Sequence, residues 1–169
     1  GRRLPPDAAR QLSIEAIVDV QNVLEAIRAC KQQTAPGVDG ECAELYQEFG
    51  EQSARTLSSL FKSLLERGRL TDPMRCGLLT PIWKEKGQPS DRTTYRPVTV
   101  TTAQYRILSR AIAQRLTEVL HHIIDPTQVG FQVLRRATEN IDLVAETIAY
   151  VNEAGKERGG AIAFLDNEK

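Results

Sequence analysis

The spacing of apolar residues changes along the chain, and no other feature of the sequence constrains its fold as much. Up to Gly68, apolar residues recur at the three-and-four spacing of a helical face, interrupted by a loop at residues 35–40. Residues 78–83 and 96–101 are instead short and rich in apolar or β-branched side chains, with a polar connection between them. This arrangement predicts a β-hairpin set among helices, and we expect the α+β class.

Helices are predicted on both sides of the hairpin. Ser13 is a suitable N-cap for the first helix, and two further helices are expected to start near Glu41 and near Gln52. Gly68 has the position of a C-terminal cap for the third helix. The residues before Ser13 include two adjacent prolines, and we expect residues 1–12 to be loose.

Two more helices are predicted after the hairpin. The first covers apolar positions between residues 107 and 120, and Arg106, Arg110 and Arg115 lie mostly off its apolar face. The second runs from about Thr138 to Asn152. Its apolar face is expected to point inward and consists of Ile141, Val144, Ala145, Ile148 and Val151.

The last apolar run, residues 161–165, is continuous and is typical of a strand buried on both faces. Asp166 stands at its C-terminal end. A strand of this kind needs neighbours on both sides, and the hairpin with its prolines Pro81 and Pro97 is distant in sequence. We therefore expect the chain to be a fragment whose remaining strands lie beyond Lys169.

The cysteines and the lack of a long apolar run indicate the compartment. Cys30, Cys42 and Cys76 are too few for a disulfide framework and lack the close spacing of a zinc site, so we expect buried thiols in a reducing environment. No apolar run approaches the roughly 20 residues that span a bilayer. These features predict an intracellular protein of the cytoplasm or nucleus, without a membrane partner.

Charge is unevenly distributed although the net charge is zero. Residues 1–50 carry 5 basic and 8 acidic side chains, residues 51–136 carry 14 and 7, and residues 137–169 carry 3 and 7. A basic middle segment between acidic flanks favours contact with a polyanion, and an ordinary solvated face is the alternative.

Cations cluster around the connection of the predicted hairpin. Lys84, Lys86, Arg92 and Arg96 surround one turn and could hold a triphosphate, although a solvated loop is the alternative. Asp166 has the placement of a metal-binding carboxylate of nucleotidyl transfer, but one carboxylate does not complete a site with two metal ions. A lone aspartate at a strand end can equally be a cap or a turn former.

Short motifs follow one another in order between residues 13 and 169. They are APGVDG at 35–40, PIWKEKG at 81–87, YRPV at 95–98 with YRILS at 105–109 and QRL at 114–116, QVGF at 128–131, ENI at 139–141, and FLDNEK at 164–169. Each motif alone is weak, but their order and spacing together are specific. The sequence resembles the reverse transcriptases of non-LTR retrotransposons.

This resemblance implies a right-hand polymerase fold. Residues 13–76 would be an N-terminal helical extension, and residues 77–169 would be the fingers and the start of the palm, incomplete at the C-terminus. The implied fold is α+β and mostly helical, with a fingers β-hairpin and one C-terminal palm strand. The missing palm and thumb would follow in the same polyprotein.

The resemblance also implies roles for individual residues. Lys84 and Arg96 match the fingers residues that grip the incoming deoxynucleoside triphosphate. Asp166 matches the first catalytic aspartate, a ligand of Mg²⁺, and the backbone carbonyl of Asn167 matches a further ligand. The residues that match the template-binding block are Gln128, Gly130, Phe131 and Arg135.

An RNA template, a DNA primer and a deoxynucleoside triphosphate are the implied partners of an RNA-directed DNA polymerase. Two departures from the family pattern stand out: Leu134 replaces a glycine before Arg135, and Asn167 replaces an apolar or aromatic residue. The paired aspartates of the family are also missing from these 169 residues. We therefore expect the chain alone to be inactive. The alternatives are a non-catalytic RNA-binding remnant, domesticated or decayed, and a helical interaction domain.

Overall fold

A computed structural model describes residues 4–125, 128, 136 and 138–153 of the chain. The chain divides into two units, one of residues 1–123 and one of residues 124–169. In the first unit the described elements are mostly helices with one two-stranded antiparallel sheet. They are, in chain order, α1 (Pro6–Gln11), α2 (Ile14–Ile17), α3 (Val20–Arg28), α4 (Ala43–Glu48), α5 (Gly50–Arg67), α6 (Asp72–Arg75), β1 (Gly77–Trp83), β2 (Tyr95–Thr101) and α7 (Ala103–Ile123).

The core of this unit lies along α3, which packs against both α5 and α7. Val23 and Ile27 of α3, Phe61 of α5 and Ile107 of α7 are completely buried. These residues occupy the apolar positions that predicted the helices, so the core is formed by the helical faces read from the sequence. Burial of such side chains is the main stabilising contribution to the unit.

The start of the chain differs from the prediction in two places. Residues 1–12 are not loose throughout, because Pro6–Gln11 form α1 with proline at a position where a helix loses no hydrogen bond. The predicted first helix is divided into α2 and α3. Asp19 divides it, since its carboxylate accepts the backbone N–H groups of Gln21 and Asn22 and thereby starts a new helix.

The predicted helix ends are confirmed. The Ser13 hydroxyl accepts the Ala16 N–H at 3.2 Å, as an N-cap does. Gly68 ends α5 with φ of 64°, a left-handed conformation that glycine adopts without steric cost. The C-terminus of α3 is capped by Gln47, a residue of α4. The Gln47 Nε2 donates to the carbonyls of Ile27 at 3.0 Å and Cys30 at 2.9 Å.

The cysteines are less buried than predicted. Cys30 and Cys42 are partly buried, Cys76 is exposed, and all three are free thiols. The prediction of three buried thiols is therefore wrong, because Cys76 lies between α6 and β1 outside the core formed by α3, α5 and α7.

The second unit is described mainly by one helix, α8 (Thr138–Glu153), at the predicted position. Its predicted inward face is not buried, since Ile141 and Ile148 are 66% and 47% exposed. The expectation of burial is therefore wrong for these two side chains. The predicted strand at residues 161–165 lies outside the described residues. None of the helices described for this chain is both long and apolar enough to cross a membrane.

Candidate nucleotide-binding site

The predicted hairpin is confirmed as β1 and β2 paired antiparallel. In its register Pro81 lies opposite Pro97, and Ile82 lies opposite Arg96. The Lys84 N–H donates to the Thr94 carbonyl at 2.8 Å, so the alternation of the ladder places the two prolines at a pair without hydrogen bonds. Neither proline removes a bond from the hairpin, which explains how both are accommodated.

The register brings Lys84 and Arg96 to one face of the hairpin. Side chains alternate between the two faces of a strand, so Lys84 follows Ile82 on the face that Arg96 occupies. Diagonal neighbours of this kind have Cα atoms about 7–8 Å apart, within reach of long side chains. Arg96 is exposed and makes no ion pair among the described residues.

Side chains hold the connection between the strands in a defined shape. The Asp91 carboxylate accepts the Thr93 N–H at 2.9 Å and the Thr93 hydroxyl at 2.8 Å, and so caps a short 3₁₀ turn at Arg92–Thr94. The Thr94 hydroxyl donates to the Asp91 carbonyl at 2.6 Å, and the Tyr95 hydroxyl donates to the Pro89 carbonyl at 2.9 Å. The connection is thus ordered by local bonds rather than by the core.

The charge of Asp91 is part of this order. The Thr93 backbone N–H and the Thr93 hydroxyl hold the pKa of Asp91 below its usual value, and the positive charge of Lys84 adds to the effect. The folded turn favours the ionised form of Asp91. The contribution of Asp91 to the stability of the turn is therefore present above the ordinary aspartate pKa and is lost as the pH falls. Asp91 therefore stays ionised beside Lys84 at neutral pH.

Lys84 has donors left for a ligand. Its Nζ donates to the Thr93 carbonyl at 2.9 Å, which uses one of the three N–H groups of the ammonium. Lys86 and Arg92 are exposed in the same connection. Lys84 and Arg96 therefore offer one ammonium group and one planar fork of N–H groups beside a stable turn, which suits the oxygens of a phosphate chain.

Two aromatic residues at the same end of the hairpin are solvent-accessible. Trp83 lies opposite Tyr95 on the face away from Lys84 and Arg96, and Trp83 is 41% exposed. From the sequence alone, packing of Trp83 against the helices is favoured over stacking on a nucleic-acid base. Its exposure does not support that preference.

The hairpin is joined to the helical core through the loop at residues 35–40. Gly37 lies against the junction of β2 and α7: a Cβ atom there would be 2.7 Å from the Cα and N atoms of Thr102. Thr102 is completely buried, and its hydroxyl accepts the Tyr105 N–H at 3.3 Å at the start of α7. Only a glycine allows this approach, so the loop helps to set where the hairpin leaves the core.

The other predicted site residues are mostly outside the described part of the chain. This holds for Gly130, Phe131 and Arg135 of the template block and for the metal ligands Asp166 and Asn167. Gln128 is described: it is exposed, and its N–H donates to the Asp125 carbonyl at 3.0 Å. Among the described residues no group of three or more histidine, cysteine or acidic side chains could hold a metal ion.

Arg106 makes a contact that the sequence does not indicate. It was placed off the apolar face of its helix, but it is partly buried and its Nη1 donates to the Thr34 hydroxyl at 2.8 Å. The two residues are 72 positions apart in the chain, so helical periodicity carries no signal for this contact. The YRILS motif contained Arg106, but nothing in that motif indicated its partner.

Three curated proteins are similar to this chain over most of its length. The chain is 26% identical over 160 residues, 95% of its length, to the 149 kDa protein of transposon TX1 from Xenopus laevis. It is 20% identical over 90% of its length to the probable RNA-directed DNA polymerase from transposon BS of Drosophila melanogaster. It is also 26% identical over 88% of its length to the RNA-directed DNA polymerase from mobile element jockey of Drosophila funebris.

The chain spans only a small share of these relatives, 12%, 17% and 16% of their respective lengths. No family model matches the chain. The three relatives confirm the resemblance that the ordered motifs indicated.

Proposed function

Because the chain resembles non-LTR retrotransposon proteins named as RNA-directed DNA polymerases, we propose that it is the fingers region of such a polymerase with the start of its palm. The helices up to α6 would form the N-terminal extension, and the hairpin with α7 would form the fingers. Residues 161–165 would supply the first palm strand.

One observation of geometry supports this proposal more than any other. Lys84 and Arg96 come from different strands, yet the register places both on one face beside a turn ordered by Asp91. We propose that Lys84 contributes a point charge and that Arg96 contributes a two-pronged donor to the triphosphate of an incoming deoxynucleotide. Trp83 and Tyr95, on the opposite face, would not compete for the triphosphate.

The remaining roles are proposed on the resemblance alone. Gln128, Gly130, Phe131 and Arg135 would contact the RNA template. Asp166 and the Asn167 carbonyl offer oxygen atoms, the ligand type that Mg²⁺ prefers. When bound, Mg²⁺ would neutralise the charge that develops on the transferring phosphoryl group.

The proposal for Lys84 and Arg96 is tested by titrating the 169-residue chain with dGTP and following backbone amide signals by NMR. We expect shifts at the hairpin and about a tenfold weaker affinity for Arg96→Gln, since a hydrogen bond to a charged group contributes about 1.5–3 kcal/mol in favourable sites. Lys84→Gln should weaken binding similarly. Lys86→Gln is the matched control because Lys86 lies in the same exposed connection, and its loss should be smaller than twofold.

Equal losses for Arg96→Gln, Lys84→Gln and Lys86→Gln would contradict a specific triphosphate site and indicate general attraction. A primer-extension assay on an RNA template with Mg²⁺ tests the activity of the chain itself. We propose that the chain is inactive alone because it contains no paired aspartates, and detectable extension would refute this.

A non-catalytic RNA-binding role is the second candidate, favoured by the 14 basic against 7 acidic side chains of residues 51–136. It predicts RNA affinity that falls steeply with salt, together with hairpin signals that do not respond to dGTP. Wild-type chain that binds neither RNA nor dGTP would contradict both candidates.

A further inference from the structure

A second group of cations surrounds a cavity beside the start of α7, apart from the face of the hairpin that carries Lys84 and Arg96. The cavity has a volume of about 390 Å³. It begins at the last residue of β2 and continues over the first three turns of α7. The described residues that line it are Thr101, Tyr105, Arg106, Ser109, Arg110 and Ala113.

The lining is suited to an anion. Arg106 and Arg110 lie one helical turn apart, so their side chains are neighbours on the surface of α7. Thr101, Tyr105 and Ser109 add three hydroxyl groups, and the six described lining residues include no carboxylate. Every polar side chain of this lining can therefore donate a hydrogen bond to a phosphate oxygen.

Neither arginine is neutralised by a contact ion pair. Arg106 is held in place through Nη1, which donates to Thr34, while its Nε and Nη2 are shielded from solvent and have no hydrogen-bond partner in the described part of the chain. Arg110 is exposed and has no hydrogen bond or ion pair to any described residue. The donors of both guanidinium groups are thus left largely unused, which is costly for the buried ones.

The charge of Arg106 acts on one carboxylate outside the lining, that of Glu44. Backbone hydrogen bonds, first of all from the Gln33 N–H, lower the pKa of Glu44, and the charge of Arg106 contributes least. One carboxylate oxygen of Glu44 is occupied by that Gln33 N–H, and the other has no partner. Glu44 is not part of the lining, so it balances at most one of the two positive charges.

We propose that this cavity binds a backbone phosphodiester group of a single-stranded RNA. Arg110 and the hydroxyls of Tyr105 and Ser109 contact the phosphate, and Arg106 supplies charge from the floor of the site. A phosphodiester carries one negative charge and needs no metal ion. A nucleoside triphosphate brings Mg²⁺, which requires oxygen ligands that the described lining does not provide as carboxylates.

This inference rests on the proposed function, because it assumes that an RNA strand is the partner. It goes beyond that function by assigning the strand to residues at the end of β2 and on α7, which are other residues than Lys84, Arg96 and those matched to the template block. Phosphate contacts of this kind position a strand without reading its sequence. We therefore expect the same affinity for RNAs of different sequence.

The test measures binding of a short fluorescein-labelled single-stranded RNA to the 169-residue chain by fluorescence anisotropy, between about 50 mM and 200 mM salt. Arg110→Gln should weaken binding about fivefold at the lowest salt and reduce the slope of log affinity against log salt by about 0.7, the value for one phosphate contact on a single strand. Arg106→Lys keeps the charge, so the affinity should fall about threefold while the slope stays unchanged.

Lys62→Gln is the matched control, since Lys62 is an exposed cation in the middle of α5 that makes no described hydrogen bond or ion pair. It should change the affinity by less than twofold. If Arg110→Gln weakens RNA binding no more than Lys62→Gln does, the assignment of this site is wrong, while the proposed RNA-binding function still stands. Absence of RNA binding by the wild-type chain would instead contradict the function on which the site rests.

A competition arm distinguishes a strand from a free nucleotide. We expect an unlabelled RNA strand to displace the labelled one equally well from the wild-type chain and the Arg96→Gln variant. The assignment to a phosphodiester would be overturned if dGTP displaced the labelled RNA from the wild-type chain at concentrations that also shift the α7 amide signals. The thermal unfolding midpoints of Arg110→Gln and Lys62→Gln should match that of the wild-type chain, because both residues are exposed.

Discussion

Asn22 is a buried polar residue whose replacement gives the sharpest test of how the helical unit is held together. It lies in α3 and is 3% exposed. Its Nδ2 donates to the Ile17 carbonyl at 2.7 Å and to the Ala111 carbonyl at 3.1 Å. One side chain thus joins the end of α2 to the middle of α7, the helix that carries the proposed phosphodiester site.

Asn22→Ala removes both hydrogen bonds and leaves two carbonyl groups without this donor. Each hydrogen bond contributes about 1 kcal/mol net, and an unsatisfied buried group costs about 1–3 kcal/mol. Because the Ile17 carbonyl is only partly buried, we expect a total loss of about 2–4 kcal/mol in the free energy of unfolding. This is a large share of the ~5–15 kcal/mol that a domain of ordinary stability has.

Urea unfolding followed by far-ultraviolet circular dichroism measures the loss. With an m value of about 2 kcal/mol per molar urea, the midpoint should fall by about 1–2 M while m stays constant. Gln21→Ala is the control. Gln21 is the exposed neighbour of Asn22, and among the described residues its side chain bonds only to Glu25, at 3.0 Å, so the loss in the free energy of unfolding should stay within about 0.5 kcal/mol. A loss below about 1 kcal/mol for Asn22→Ala, at constant m, would refute the assigned role of these hydrogen bonds.

Two further predictions concern the junction between the loop and α7. Gly37→Ala places a methyl group 2.7 Å from the backbone of Thr102, so we expect the free energy of unfolding, measured with urea, to fall by about 1–3 kcal/mol. Val38→Ala is the control and should change stability little, because Val38 is 44% exposed. Equal stabilities of the two variants would show that the loop moves without cost. Burial and the hydrogen bond to Glu41 raise the pKa of Tyr46, so the folded state holds the phenol proton longer than the unfolded state does. Stability should therefore fall as the pH rises above about 10, the ordinary tyrosine pKa. Tyr46→Phe should flatten that alkaline decline in midpoints measured at several pH values, and an unchanged decline would contradict the assignment.

The sequence allowed the secondary structure to be predicted wherever the signal was local. The spacing of apolar residues predicted α5, α7 and α8, and the change to short apolar and β-branched runs predicted β1 and β2. Gly68 was predicted to end α5, because the residue that follows a helix often adopts a left-handed conformation, which favours glycine. The φ of 64° at Gly68 confirms this prediction. Each of these signals depends on residues within a few positions of one another.

Errors arose where a local signal had two readings. The apolar spacing after Ser13 predicted one helix, whereas the Asp19 carboxylate caps α3 and divides the segment. Cys76 was predicted to be buried from its residue type, but burial depends on which elements pack nearby. Ile141 and Ile148 follow a helical period correctly and are nonetheless exposed.

The candidate sites divide in the same way. Lys84 and Arg96 were identified from the sequence, because the hairpin that brings them together is a local structure with a short connection. The cavity with Arg106 and Arg110 was not identified, although both arginines lie on a helix that was correctly predicted. What distinguishes Arg106 is its bond to Thr34, and no local pattern records a contact between distant segments.

The sequence by itself thus determined the longer helices α5, α7 and α8, the hairpin and the resemblance to retrotransposon polymerases, because periodicity and ordered motifs are properties of the linear chain. The tertiary structure alone decided that α3 packs between α5 and α7, that Gly37 touches Thr102, and that Asn22 reaches Ala111. These contacts depend on how separate helices fit together in space. Buried polar groups must find partners wherever packing brings donors and acceptors within reach, and the linear sequence does not show where that is.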